Sequence, residues 1–355
     1  MITKNSYMNP VFDTKETNAV NDYLAGSGWV TEFSATKEFE SMLSKYIGAK
    51  YVHCVPNATM GLLIASMLAD IKYNETFSAS AYTQAATVNG AILLGGKPNI
   101  VDTDNESYTI DLSNITTRVV FVTAINGRYS KNTAQRIKEL QYEGHFVIED
   151  AAQALASFSH NEHIGTFGDV GVVSFGSPKI ITTGQGGAIY TNDKELSDRI
   201  HQIKNFGRIV RSGEVYDSFG LNFKFTDLQA AFGIQQLKKL DKISNHKKFV
   251  FETYRTNLSD IAEFIDTDLS QTTPTYPEIL LKNPLNTHNK LKEKSIGTRT
   301  VYPSILEQPY HSRFKTKSLP NAEYIGSRGL ILPSQFDLTE QDLEIIIKEI
   351  RKTLT

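Results

Sequence analysis

Val147-Ile148-Glu149-Asp150-Ala151-Ala152-Gln153, then Ser174-Phe175-Gly176-Ser177-Pro178-Lys179, then Thr183-Gly184-Gln185-Gly186-Gly187, is the stretch whose reading decides the fold. Phe146-Val147-Ile148 and Val170-Gly171-Val172-Val173 are short apolar runs, and Ala188-Ile189-Tyr190-Thr191 is a third, closed by Asn192-Asp193. Runs of this length bounded by Gly, Asn and Asp read as buried strands. An acid, a serine and a lysine therefore follow successive strands, where an open α/β sheet presents its ligand-facing edge. The spacing predicts that three strand ends converge on one cleft.

Outward from this stretch, helical and strand-like patterns alternate up to about residue 240, which predicts an α/β fold with a mostly parallel sheet covered by helices. Ala35 to Ile47 carries Phe39, Leu43 and Tyr46 at helical spacing, Thr59 to Leu68 is a second apolar helix, and Asn132 to Tyr142 a third. Thr226 is placed to cap a long helix running through Ile243. Pro274 to Asn289 mixes strand and turn residues, and Thr339 to Leu354 reads as a capped amphipathic helix. The expected division is a large domain over residues 1–240 and a smaller α+β domain over 241–355, without a Gly/Ser linker between them.

Composition narrows the class. With 355 residues, 40% of them hydrophobic and 21% charged, the chain can bury a large core. A net charge of −2 leaves no electrostatic footprint for nucleic acid or an anionic membrane. The single cysteine, Cys54, excludes an internal disulfide, a Cys-rich zinc site and a cysteine-ligated cluster. No apolar leader and no stretch of membrane-spanning length stands out, so a cytoplasmic protein is the expectation.

The chemistry of the opening stretch is that of a pyridoxal phosphate site. Such a site needs a carboxylate against the pyridinium nitrogen, an anchor for the phosphate, and a lysine amine to condense with the aldehyde. Asp150, Ser174 and Lys179 offer one candidate for each, while helix capping is the plain alternative for Asp150. Asn57-Ala58-Thr59 at a helix start adds free N–H groups and the positive end of a helix dipole for the phosphate, with Thr59 alternatively a simple N-cap.

These segments resemble the pyridoxal-phosphate-dependent sugar-nucleotide aminotransferases of the DegT/DnrJ/StrS family, of fold type I. Ser27-Gly28-Trp29-Val30-Thr31 is similar to its Ser-Gly-Trp segment and Asn57-Ala58-Thr59 to its phosphate turn. Ser174 to Lys179 matches its Ser-Phe-x-x-x-Lys element. Gly220-Leu221-Asn222-Phe223-Lys224-Phe225-Thr226-Asp227-Leu228-Gln229-Ala230-Ala231 resembles a further block, and Ile296-Gly297-Thr298-Arg299 with Tyr302-Pro303 its C-terminal substrate segment.

The resemblance implies a homodimer with shared active sites, Lys179 and Asp150 as the catalytic pair, and cofactor contacts from Asn57, Ala58, Thr59, Gln84, Gln153, Ser174 and Asn222. Asn222 would reach the phosphate of the other subunit. Trp29, Thr31, Arg299 and Tyr302 would touch substrate, and Arg208, Lys204 and Arg211 are further cations for a carboxylate or diphosphate. The implied reaction moves an amino group from L-glutamate to a keto carbon, most simply C4, of a nucleotide-diphosphate 4-keto-6-deoxyhexose, for a surface polysaccharide such as an O-antigen. A 3-keto-sugar aminotransferase, a sugar dehydratase using the same cofactor and a non-enzymatic regulator are the alternatives, and Lys179 argues against the last two. Departures from the family pattern are Ala58 for a glycine, Gln84 for a stacking aromatic (with Tyr82 two residues away), Thr123 for a histidine and Asn126 for a tyrosine.

Overall fold

The computed structural model describes residues 6–26, 28–210 and 214–354. In chain order the strands are β1 (Tyr51–Val55), β2 (Thr76–Ser80), β3 (Lys97–Val101), β4 (Val119–Thr123) and β5 (Phe146–Asp150), then a small hairpin of β6 (Phe158–Ser159) and β7 (Glu162–His163), then β8 (Val170–Ser174) and β9 (Gly187–Thr191). Seven of these form one sheet in the order β1-β9-β8-β5-β4-β2-β3. Pairing is parallel from β8 through β3, while β9 is antiparallel to both β8 and β1. Six strands thus point one way and β9 runs against them.

The antiparallel β9 corrects the expectation of three converging carboxyl ends. Asp150 and Ser174 do close their strands at one edge, but β9 starts there: Gly187 pairs with both Val55 and Ser174, and Asn192-Asp193 lies at the opposite edge. The ends of β1, β5 and β8 and the start of β9 therefore meet at the ligand edge. A tight Thr183 to Gly186 turn reverses the chain between Lys179 and β9, with the Thr183 hydroxyl donating to the Gln185 carbonyl.

Helices pack on this sheet where the patterning placed them. The second helix, Ser34–Ile47, buries Phe39, Leu43 and Ile47, and the Ala58–Leu68 helix is apolar nearly all round and almost wholly buried. Its cap is Asn57, whose side chain accepts the Met60 N–H, so Asn57 and not Thr59 holds the N-cap position.

The Thr226 side chain caps its helix by accepting from Gln229 N–H, yet that helix ends at Lys238 and a second one spans Leu240–Leu258. The expected single helix through Ile243 is broken at Lys239, whose backbone sits at φ −99°, ψ −3°. Its ammonium is gripped there by Asp13 and Glu16 at the start of the first helix, Thr14–Ala25. Only packing of the N-terminal helix could reveal that break, since no Gly or Pro marks it.

Asp227, next to that cap, is buried and accepts the N–H groups of Phe33 and Ala35 and the hydroxyls of Tyr23 and Thr36. Burial works to raise its carboxyl, but these donors outweigh it and hold it low. The acid thereby pins the Phe33 to Thr36 backbone to the sheet domain.

Beyond residue 258 comes a second sheet of β10 (Glu263–Phe264), β11 (Glu278–Leu280), β12 (Arg299–Thr300) and β13 (Gly329–Ile331), in the order β10-β11-β13-β12 and antiparallel throughout. Val250, Tyr254, Ile279, Leu330, Leu343, Ile346 and Ile350 give it a core of its own with the Leu240–Leu258 and Glu340–Leu354 helices. No helix among the described residues is long and apolar enough to cross a membrane.

Candidate active site

At the carboxyl edge of the large sheet lies a cavity of about 440 Å³, walled by Asn57, Ala58, Thr59, Gln84, Asp150, Gln153, Ser174 and Lys179, with Arg299 from β12 among its lining. The order of elements explains the gathering. Asn57 to Thr59 follow β1, Gln84 precedes the Ala85–Leu93 helix after β2, Asp150 ends β5, and Ser174 ends β8.

The wall at Ala58 and Thr59 is built for an anion. As the first residues of their helix they have no intrahelical acceptor for their N–H groups, and the helix dipole points its positive end the same way. Ala58 adopts no positive φ, so alanine is tolerated where the resembling family carries glycine. Gly187 fits against this turn: a Cβ there would come within 2.8 Å of Ala58 N and 3.0 Å of Asn57 C. Gly186 beside it sits at φ +159°. Ser174 Oγ accepts the Gly176 N–H at 3.4 Å, which leaves its proton for a cavity ligand.

Strand alternation sends neighbouring acids to opposite faces. Glu149 accepts the Tyr129 hydroxyl at 2.8 Å and the N–H groups of Gly165 and Gly168 at 2.9 and 2.5 Å, and burial pushes its carboxyl up to about 7. Asp150 faces the cavity. Its Oδ2 accepts from the Thr87 hydroxyl at 2.6 Å and its Oδ1 from Ala152 N–H at 3.1 Å. Burial raises the Asp150 carboxyl, with these donors and the charge of Lys179 pulling it back. Burial likewise lowers the Lys179 ammonium against the opposing attraction of Asp150. The lowering makes its proton easier to release, toward the neutral amine that acts as nucleophile or base.

Gln153 joins this wall with its Oε1 occupied by the Asn126 N–H. Gln84 is the residue on the wall, not Tyr82. Tyr82 is buried and stacks on Tyr302 with ring centroids 4.9 Å apart. Tyr302, expected at the substrate, is thus committed to that stack and does not line the cavity.

Three other expected positions also lie away from the cavity of their own chain. Trp29 is 72% exposed, Thr31 forms a bridge with Thr226, and Asn222 is exposed with its Oδ1 accepting Lys224 N–H. Lys204, expected as a further cation for a carboxylate or diphosphate, is buried and paired with Glu32 at 2.8 Å. Arg208 packs over the rings of Phe206 and Tyr216. Ser27 and Arg211 lie outside the described residues.

Sequence reasoning missed Tyr7, whose hydroxyl accepts from Arg299 Nη1 at 3.0 Å, and Tyr276, which lines the same cavity. No local pattern marks either, because the tertiary fold alone brings them in.

A buried acid and a depressed lysine beside an anion-binding helix start suit a phosphorylated, nitrogen-bearing aldehyde, which is the cofactor of the pyridoxal-phosphate-dependent transferases. Within that class the chain belongs to the DegT/DnrJ/EryC1/StrS aminotransferase family, whose sequence profile matches residues 10–351. It is similar to the GDP-perosamine synthase of Escherichia coli O157:H7, at 28% identity over 97% of this chain and 96% of that protein. Among solved structures it is similar to the aminotransferase TlmJ from Streptoalloteichus hindustanus, with TM-score 0.91, 25% identity and coverage of 99% and 98%. A DegT DnrJ EryC1 StrS aminotransferase from Brucella abortus superposes with TM-score 0.89 at 25% identity, covering 96% of this chain and 95% of that one.

Proposed function

We propose that this enzyme transfers the amino group of L-glutamate to the C4 keto carbon of a nucleotide-diphosphate 4-keto-6-deoxyhexose, in the cytoplasm, as a step toward a surface polysaccharide such as an O-antigen. The observation that carries the reading is the single cavity in which the Asn57 to Thr59 turn, Asp150, Gln153 and Lys179 share a wall and Arg299 joins the lining. The relative named GDP-perosamine synthase supports a nucleotide-diphosphate sugar as acceptor.

The residues fit pyridoxal phosphate: free N–H groups at Ala58 and Thr59 with the Ser174 hydroxyl for the phosphate, Asp150 for the ring nitrogen, Gln153 for the ring oxygen and Lys179 for the aldehyde carbon. When bound, that cofactor supplies an electron sink and carries the amino group between two substrates. Lys179 then holds and moves the proton at the reacting carbon, a task its depressed ammonium suits. Arg299, held by Tyr7, is the cation for a substrate anion.

The same proposal includes a division of the chain at 1–240 and 241–355, supported by the helix break at Lys239 and the separate core beyond it. It also includes a homodimer. Ile209, Val210, Val215, Tyr216 and Phe219 are each more than half exposed and precede the exposed Asn222 in the chain, apolar side chains suited to covering by a second copy that receives Asn222.

The test is the visible absorption of the purified protein, converted with glutamate and then challenged separately with 4-keto and 3-keto sugar nucleotides. Recovery of the starting spectrum with the 4-keto sugar alone supports the reading. Recovery with the 3-keto sugar alone moves the acceptor carbon to C3, and no response to glutamate overturns the donor.

A further inference from the structure

From the cavity a line of hydroxyls leads to Asp150. Thr123, at the end of β4, lines the cavity, and its Oγ1 lies 3.0 Å from that of Thr83. Thr83 in turn lies 2.7 Å from Thr87 Oγ1, and Thr87 donates to Asp150 Oδ2 at 2.6 Å. The three come from separate places: a strand end, the turn after β2 and the first turn of the Ala85–Leu93 helix. Thr83 and Thr87 are 2% and 0% exposed, so bulk water does not compete for these bonds.

A hydroxyl has one proton to give. With Asp150 ionised, Thr87 commits its proton to the carboxylate. Thr83 must then donate to Thr87, and Thr123 to Thr83. All the donors point toward the acid, and bonds aligned in this sense polarise one another. The end left facing the cavity, Thr123, has only lone pairs to show.

Building on the cofactor reading of Asp150, we propose that Thr123, Thr83 and Thr87 form a one-way hydroxyl chain that holds the buried Asp150 carboxylate in place and ionised, and that presents Thr123 to the cavity as a hydrogen-bond acceptor. The other titratable groups in electrostatic contact with Asp150 are Lys179 and the phenols of Tyr129, Tyr190 and Tyr302. Of these Lys179 is the one cation. In the cofactor-free protein the Thr87 hydroxyl at the end of the chain and the Ala152 N–H are the hydrogen-bond donors that hold the carboxylate ionised, ready for the ring nitrogen of the cofactor. The three threonines are positioning residues for that acid, with Thr123 also a contact for whichever substrate group brings a proton to it.

The experiment measures the apparent dissociation constant of pyridoxal 5′-phosphate from about pH 5.5 to 8.5 for Thr87→Val, Thr87→Ser, Thr83→Val and Asp150→Asn, together with the melting temperature of each cofactor-free protein. Thr87→Val is expected to weaken binding about tenfold at neutral pH, the scale of one hydrogen bond to a charged acceptor, and Thr87→Ser to restore it. Thr83→Val is expected to weaken it about threefold. Both losses grow as pH falls, because an unsupported Asp150 takes up a proton at higher pH.

Equal affinities for Thr87→Val and Thr87→Ser, or a loss identical at every pH, overturn the chain and leave the threonines as packing. Wild-type affinity in Asp150→Asn overturns the cofactor reading of Asp150, and the chain with it. If Thr87→Val does not fold, Thr83→Val carries the test, since it leaves both hydrogen bonds of Asp150 in place.

Discussion

The backbone N–H of Asn126 donates to Oε1 of Gln153 across 2.6 Å, and this bond decides which end of the Gln153 amide is left for the cavity. The two ends of an amide have the same shape and opposite hydrogen-bonding character. With the oxygen engaged, the NH2 donor is the end available to a ligand oxygen. Asn126 is itself anchored from the second sheet: its Nδ2 donates to the Tyr276 carbonyl and to Glu278 Oε2, and its Oδ1 accepts Tyr276 N–H. Glu278 is paired with the equally buried Arg128 at 2.9 Å.

Gln153→Glu places an acceptor-only group beside the cavity. Cofactor affinity is expected to fall by roughly tenfold, the scale of one lost hydrogen bond plus repulsion of a ligand oxygen, in an absorbance titration. Asn126 holds φ +50°, a region that asparagine and glycine tolerate and other residues resist. Asn126→Ala is expected to lose about 2 to 4 kcal/mol in denaturant unfolding, and Asn126→Gly less, because it keeps the backbone and loses only the side-chain bonds.

Gly187→Ala tests the phosphate turn from the other side. The added methyl meets Val173 O at 2.7 Å as well as the Asn57 and Ala58 backbone, none of which is a flexible side chain. The expected outcome is a stability loss of about 1 to 3 kcal/mol by overpacking, with cofactor affinity falling further than stability alone accounts for. Thermal melts with and without pyridoxal 5′-phosphate separate the two.

Lys247 makes a stability prediction with a definite sign. Its ammonium is buried, donates to the Ser334 carbonyl at 2.7 Å and hydroxyl at 3.0 Å, and is lowered by burial to about 7. Below that pH both folded and unfolded chains hold the proton, and folding bears the full cost of burying it. Between about 7 and the ordinary value of 10.5 the unfolded chain binds the proton that the folded chain has released, so stability rises with pH across this window. Lys247→Met is expected to remove an increment of roughly 3 kcal/mol from the rise between pH 7 and 9.5. Urea unfolding of both proteins at pH 7 and 9.5, compared as a difference, isolates the lysine.

The exposed apolar side chains of Ile209, Val210, Val215, Tyr216 and Phe219 predict an association that charges can erase. Ile209→Asp with Val215→Asp, both positions well exposed, is expected to give monomers in sedimentation velocity where the unaltered chain gives dimers. If Asn222 serves the neighbouring subunit, the monomer binds pyridoxal 5′-phosphate less tightly, and Asn222→Ala in the dimer reproduces that loss without dissociation. A monomeric unaltered chain would refute the shared-site proposal.

Much of the candidate site was legible because its residues lie just past strand ends or at a helix start, where short-range spacing carries spatial meaning. Asp150, Ser174, Lys179 and the Asn57 turn are of this kind, and Arg299 was legible through its motif. Where expected residues lie away from this chain's own cavity, the reasons are physical. Tyr302 was read beside substrate, but an aromatic partner, Tyr82, lies against it from a segment more than two hundred residues away. Lys204 was read as available to a substrate anion because nothing local shows that Glu32 reaches it. Trp29 and Thr31 belong to a recognisable segment that binds along Phe225 to Asp227, clear of this chain's own cavity.

By itself the sequence determined the class of fold, the strands around Val147, Val172 and Ile189 with several of the helices, and the chemical types at the ligand edge, since periodicity, caps and strand-end residues act over a few positions. Tertiary structure alone decided that β9 runs antiparallel, that the helix after Thr226 breaks at Lys239, and that Tyr7, Tyr276 and the Thr123–Thr83–Thr87 line converge on the cavity. Those outcomes depend on which buried polar groups find partners across the fold. A buried donor or acceptor left unpaired costs more than any local preference supplies, so partners distant in sequence settle them.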